Sequence, residues 1–376
     1  MAEYLTNTTD LTKVASAIRE KGSTSDPLVY PDGFVTAIQA IQTGTELQII
    51  VTVTSGATVT ATKGSLSVSG TSVNGTCTLI VPEIGTWSVS ATLDGKTSDT
   101  KAVTITDSYA VSLNFVYPTL NKNTWETIKD ISDAGQDANY WSVGDRKAVT
   151  LNGTVGHLTL SNYTTYAFII GFNHNASLEG ENCIHFQLAK TALSGGTDVC
   201  FCDSYYTSPV STTGYFSMNS SATNSGGWAS SQMRTNICGT SLSSYSGTII
   251  AVIPAALRAV LKSVTKYTDN TGNNSTSASA VTATKDYFFL LSEFEVFGSI
   301  SRANSNEASK QAQYAYYSAG NSKVKYKHNG TSTAARWWLR SPLASSSDGF
   351  ENVNTNGTVE DRTARASFGF PPGFCV

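Results

Sequence analysis

Between Leu47 and Ala91 apolar side chains recur at every second position: Val51 and Val53, Val59 and Ala61, then Trp87, Val89 and Ala91. Successive side chains of a strand point to opposite faces, so this period commits the stretch to β-sheet with one face buried. Ser55-Gly56, Asn74-Gly75, Gly85 and Asp94-Gly95 punctuate it with turn residues. Short strands at that spacing predict a small β-sandwich over residues 46–108, with Trp87 as its core anchor. Nothing in this stretch carries chemistry.

On the N-terminal side the period lengthens. Leu11, Val14, Ala15 and Ile18 fall at i, i+3, i+4 and i+7 behind Asp10, read as an N-cap, and Gly22 closes the segment. A turn at Tyr30–Phe34 leads into a second stripe, Phe34, Ile38 and Ile41. Helices this short bury little alone, so residues 1–45 are expected to form a helical module that docks on another chain or a larger assembly.

Residues 109–376 read as one longer unit. Helical patches are expected at Trp125–Ile131, at Ile253–Val264 with Pro254 at a helix start, and near Asn304–Tyr317. Strands are expected at Ala167–Phe172 and Asp286–Gly298. Loops rich in Ser, Thr, Gly and Asn at 203–227 and 267–284 are long enough to be functional or disordered. The expectation is an α+β domain dominated by irregular structure.

Composition removes several function classes. Charged residues make up 14% of the chain, against roughly 25% in an average soluble domain, and hydroxyls and amides fill the gap. With 17 Tyr, 15 Phe and 6 Trp there is enough aromatic mass for a core. A formal charge of -3 supplies no basic field for nucleic acid. No secretory leader or long apolar run is visible, so membrane insertion is not expected. A surface of this kind suits extracellular or virion proteins.

Candidate catalytic and metal-binding groups are sparse. Cys77, Cys183, Cys200, Cys202, Cys238 and Cys375 are expected to be reduced and buried, with a disulfide formed after release as the alternative. Cys200 and Cys202 are too close for a zinc knuckle, though on a strand they would share a face. Of four scattered histidines, His174 is expected to be structural, hydrogen-bonded at a strand end. Glu293 and Glu295, read as i, i+2 on a strand, share a face and could hold calcium or do acid/base work. No third ligand accompanies them, and pairing with Arg336 or Arg340 is the expectation. No nucleophile triad, P-loop or dinucleotide fingerprint appears, so neither catalysis nor a cofactor nor a metal is expected. Tyrosine-rich loops at Tyr205–Phe216 and Tyr314–Gly320 either border a binding face or, for at least half of these residues, pack in the core.

Five motifs in order, "YWSVGDRKAVTLNGT" (Tyr140–Thr154), "IIGFNHN" (Ile169–Asn175), "FLLSEFEVFG" (Phe289–Gly298), "ARWWLRSP" (Ala335–Pro342) and "PPGFCV" (Pro371–Val376), resemble a domain of phage and prophage tail proteins. That domain is similar to the C-type-lectin-type fold of the variable proteins of diversity-generating retroelements, and to the sulfatase-modifying fold. The helical module resembles a short unit of such tail proteins, and the β-domain resembles their immunoglobulin-like inserts. The resemblance implies a multidomain chain: helical module, Ig-like β-sandwich spacer, and a C-type-lectin-like domain at 109–376 with a variable segment at 336–376. It implies a virion-tail adhesin that binds a host-cell surface receptor, protein or glycan. The chain would be made in a bacterial cytoplasm and released by lysis. Other tail proteins and a homo-oligomer, a trimer in the form the role implies, are its expected partners. A bacterial adhesin of fixed specificity and an oxidoreductase of the sulfatase-modifying fold are the alternatives; the active-site cysteine motif of the latter is not found.

The resemblance also divides the last residues into frame and contents. Arg336, Trp337, Trp338, Leu339, Arg340 and Phe374 are expected to be scaffold, the arginines stacking on the tryptophans or pairing with buried carboxylates. The expected variable surface is Leu343, Ser345, Ser346, Ser347, Asp348, Gly349, Glu351, Glu360, Asp361, Arg362, Thr363, Arg365, Phe368, Phe370 and Pro371. Most are products that an Asn codon gives when both adenines are randomised; Glu351 and Glu360 need another template codon. "NVNTNGT" (Asn352–Thr358) is read as an unvaried hairpin turn around Asn356-Gly357. The bland alternative for 343–371 is a polar surface loop with a hairpin.

Overall fold

The computed structural model describes residues 8–22, 25, 27–40, 46–206 and 216–376, and is β-rich, with several sheets and mostly short helices. It divides into two units, Met1–Asn114 and Phe115–Val376.

In the first unit the helices run Thr8–Gly22 and Asp32–Ala40. The first starts two residues before Asp10, which therefore lies inside the helix and is not its N-cap. Ala15, Ile18 and Phe34 form a small core, while Val14 and Ile38, expected on the buried stripes, are about half exposed. Two short helices meet along one narrow seam, which covers a single row of side chains on each. Ile41 lies outside the described residues.

The β-domain of this unit has two sheets. One orders Thr76–Ile80, Gln48–Thr52 and Tyr109–Ser112; the other orders Leu66–Thr71, Thr58–Lys63 and Gly85–Leu93, with Lys101–Ile105 also on the last of these. Val51, Val53, Val59, Ala61, Trp87, Val89 and Ala91 are all buried, as the alternation requires. The buried faces meet at Gly70, where an added Cβ would stand 2.9 Å from Cys77 Sγ and 3.1 Å from Leu79 of the other sheet. Gly85 opens a strand instead of sitting in a turn. The domain also runs past residue 108, because Tyr109–Ser112 pairs in parallel with Ile49–Thr52. That strand is mostly exposed and has no alternating signal to read.

The second unit is built on a five-stranded antiparallel sheet in the order Phe288–Phe289, Gly373–Cys375, Ile184–Lys190, Leu158–Phe172, Arg146–Val155. Its core is largely aromatic; Phe374 stacks on Phe186 at 5.2 Å and meets Trp125 edge-on. Trp125–Asp133 is helical as expected, capped by Thr124. Only one turn, Ala255–Arg258, follows Pro254, because the chain then enters the strand Val264–Asp269 that pairs with Val281–Asp286. The 267–284 stretch is therefore mostly an ordered hairpin. Helix near 304–317 reduces to two short turns, Ser305–Ser309 and Ala315–Ser318.

Residues 286–298 depart most from expectation. Beyond Asp286, which ends the preceding strand, Phe288–Phe289 pairs as strand, and Glu293–Phe297 is a helix opened by a capping box between Ser292 and Glu295. Residues i and i+2 of a helix point to nearly opposite sides, so Glu293 and Glu295 do not share a face. The Ser-x-x-Glu spacing that sets the box is legible in the sequence.

Cys77, Cys200, Cys202 and Cys238 are free and buried, but Cys183 and Cys375 are joined, with Cα atoms 6.0 Å apart across 192 residues. That bond corrects the all-reduced expectation. It follows from the register that sets His185 opposite Cys375, which no local spacing reveals.

Candidate ligand-binding face

The strand Trp337–Pro342 is buried along its whole length. Trp337 Nε1 donates to Lys323 O (2.9 Å) and Trp338 Nε1 to Phe216 O (2.9 Å), so both indoles satisfy their polar edge inside the core. Arg340, fully buried, forks onto Glu295: Nη2 reaches Oε1 at 2.9 Å and Nη1 contacts Oε2. Its Nε donates to Thr268 Oγ1 (2.7 Å) and Nη1 to Leu290 O (2.8 Å). Lys266 completes the cluster, 3.0 Å from Glu295 and 2.5 Å from Glu179. Burial alone would raise the Glu295 carboxyl, but Arg340 and Lys266 outweigh it and hold the group well below the usual range. The expected arginine–carboxylate pairing is thus present for Arg340. Arg336 pairs instead with Glu360 and lies 6.0 Å from the Phe368 ring.

Glu293 and Glu351 make a second buried acid cluster. Glu293 accepts from Ser301 N and Oγ (both 2.7 Å), Ala303 N (3.0 Å) and Arg302 N (3.2 Å). Burial and then the neighbouring Glu293 charge push the Glu351 carboxyl well above the ordinary range. Glu307, buried nearby, is pushed up to about 7, chiefly by burial.

The hairpin expected at Asn356-Gly357 is present. Gly349–Val353 and Val359–Thr363 pair antiparallel around Asn354–Thr358, and Gly357 takes a left-handed φ of 85°. Val359–Thr363 is the edge strand of its sheet and is half-buried throughout. Ion pairs line it: Arg302 with Asp361, and Glu360 with Arg336 and Arg362. Charges on an edge strand block pairing with another chain.

The loop before the hairpin is anchored on Asn224. Asn224 Nδ2 donates to the carbonyls of Leu343 (3.2 Å), Ser346 (2.8 Å) and Gly349 (2.9 Å), and its backbone N–H donates to Ser347 O (2.8 Å). Ala344 N adds a bond to Arg302 O (3.0 Å). Every one of these bonds ends on main chain in the loop; within it, Ser346 Oγ also bonds the Asp348 carboxylate and Asp348 N donates to Ser346 Oγ (3.4 Å). Beside it lies an open cleft of about 590 Å³, lined by Thr276, Ser301, Arg302, Ala303, Leu343, Ala344, Ser345 and Val359.

The fifteen expected surface positions therefore separate. Ser345, Ser347, Asp348 and Arg365 are exposed, and Ser346, Glu360, Asp361, Arg362 and Thr363 are half-buried. Leu343, Gly349, Glu351, Phe368, Phe370 and Pro371 are buried, Leu343 reaching only the wall of the cleft. Phe368 packs on Trp338 at 4.7 Å and Phe370 on Phe216 at 5.5 Å. A Cβ on Gly349 would stand 2.9 Å from Arg362 O. The expected scaffold residues Trp337, Trp338, Leu339, Arg340 and Phe374 are fully buried.

Sequence reasoning missed Asn224, Ser301, Arg302 and Thr276. No motif marks them; Asn224 lies more than a hundred residues from the carbonyls it holds. His174 is structural as expected, with Nδ1 3.1 Å from Glu179 Oε2, Nε2 2.9 Å from Ala312 O and its ring stacked on Tyr314. Tyr314, Tyr316 and Tyr317 are core, and most of the Tyr205–Phe216 loop lies outside the described residues.

Among known proteins, residues 210–376 match a family described only as a domain of unknown function, DUF6273. No curated protein matches the chain.

Proposed function

We propose that residues 115–376 form a C-type-lectin-like receptor-binding domain of a phage tail protein, carried on an Ig-like spacer and attached or oligomerised through the N-terminal helices. The ligand is a host-cell surface protein or glycan. Its contact surface is the loop Ser345–Asp348, the edge strand from Glu360 to Thr363, and Arg365, around the neighbouring cleft. The carrying observation is the Asn224 anchor: it holds the loop through three carbonyls, which every residue type at those positions would present. Copies on one virion would add avidity to modest single-site affinity.

The reading narrows the positions able to diversify to those that reach solvent. Sequencing the last codons in sibling isolates is expected to find change at Ser345, Ser346, Ser347, Asp348, Glu360, Asp361, Arg362, Thr363 and Arg365. Leu343, Gly349, Phe368, Phe370 and Pro371 should stay constant. Exchanging the accessible set in the purified chain should redirect its binding across a panel of bacterial strains. Drift spread evenly along the gene, with cell binding indifferent to that exchange, would overturn the proposal.

A further inference from the structure

Cys183, His185 and Cys375 bring two sulfurs and an imidazole nitrogen within 4.8 Å of one another, and all three residues are buried. Strand pairing creates the group: His185 lies directly opposite Cys375, and Cys183 precedes it by two positions, on the same side of the sheet. His185 Nδ1 is 3.0 Å from Tyr314 Oη, whereas Nε2 has no hydrogen-bond partner among the described residues although the residue is fully buried. A buried ring nitrogen without a partner is costly, and it calls for an explanation. Nothing in the proposed ligand-binding face uses it.

We propose that Cys183, Cys375 and His185 form a zinc site that exists when the Cys183–Cys375 disulfide is reduced. Tetrahedral Zn²⁺ with bonds of about 2.3 Å to sulfur and about 2.0 Å to nitrogen sets its ligand atoms roughly 3.5–3.8 Å apart. Atoms now within 4.8 Å reach that spacing by small side-chain rotations once the sulfurs are free. Tyr314 Oη, which also accepts from Lys266 Nζ (2.8 Å), pairs with Nδ1; the tautomer that carries its proton on Nδ1 leaves the Nε2 lone pair for the metal, the arrangement by which a neighbouring group orients a histidine ligand. Two thiolates neutralise Zn²⁺, so the filled site buries no net charge.

The adjacent group His174, Glu179 and His185 is a poorer alternative. The Lys266 ammonium already sits 2.5 Å from Glu179 and would repel a cation there.

The chemistry balances in two steps. A dithiol passes two electrons and two protons to the disulfide, becoming a cyclic disulfide and leaving two thiols. Zn²⁺ then replaces both thiol protons, which leave to solvent. In a reducing cytoplasm the metal would hold the strand Gly373–Cys375 in the sheet; in an oxidising medium the disulfide does so.

The test compares the full-length chain oxidised and after reduction by a phosphine, which takes up the oxygen of water as the disulfide becomes two thiols. Both forms are equilibrated with Zn²⁺, or with Co²⁺ as its coloured stand-in, and stripped of loose metal. The reduced form is expected to keep one ion per chain and the oxidised form none, with Co²⁺ showing thiolate charge-transfer and tetrahedral bands. X-ray absorption on the zinc-loaded wild type should count two sulfurs and at least one imidazole nitrogen, and Cys183→Ser and His185→Gln should each abolish retention. No retention after reduction, loss of the fold on reduction, a sulfur count above two, or retention unchanged in a folded Cys183→Ser chain would each overturn the site.

Discussion

At the residue scale the second unit is governed by charges taken out of water. Arg340 and Glu295 are both fully buried and bonded to each other through two contacts. Removing one member of such a pair leaves the other uncompensated, so Arg340→Ala should lower unfolding free energy by about 3–5 kcal/mol in denaturant titration. Glu307 gives a pH signature. Its folded-state value of about 7 lies above the ordinary 4.5, so the folded state holds this proton more tightly than the unfolded chain does. The stability it contributes is complete below about pH 4.5 and is lost as pH rises to about 7. Thermal melts between those limits should fall with pH in the wild type and fall less in Glu307→Gln, which mimics the protonated acid. A slope identical in both chains would place the titration elsewhere.

At the element scale the distinction is between segments held by main chain and segments held by side chains. Asn224→Ala removes the donor to three carbonyls, two of those bonds wholly buried. It should cost about 1–3 kcal/mol and speed hydrogen exchange at Ser345–Asp348 before it affects the central sheet. Ser345→Ala and Ser347→Ala, whose side chains are exposed, should stay within about 0.5 kcal/mol of the wild type. Phe368→Ala, which empties the space against Trp338, should cost about 3–5 kcal/mol. The hairpin was legible from Asn356-Gly357 because the turn demands a residue that tolerates positive φ. The helix Glu293–Phe297 was not, since "FFLLSEFEVFG" has the apolar density of a strand and only the Ser292–Glu295 box says otherwise.

At the scale of the molecule the two units each carry their own core. The large aromatic cluster draws all its members from residues 116–376, and the small helical core is confined to residues 11–37. A chain beginning at Phe115 should therefore fold alone, with near-UV circular dichroism and a melting transition matching those of the second unit in the full chain. Failure of that fragment to fold would mean that the first unit supplies part of its stability.

Local pattern alone determined most of the β-domain, because alternation over a half-buried sheet is written in consecutive residues; its last strand, Tyr109–Ser112, carries no alternation. The buried frame Trp337–Arg340 and Phe374 was expected from the family resemblance, and all five of those residues are buried. Only the tertiary structure decided which of the last residues reach solvent. Leu343 and Phe368 differ from Ser345 and Arg365 by what packs on them, and those neighbours come from residues as distant as Phe216 and Asn224. The same holds for the Cys183–Cys375 bond and for His185 beside it. Strand register across 192 residues brings them together, and register is set by the packing of the whole sheet, not by the residues that it aligns.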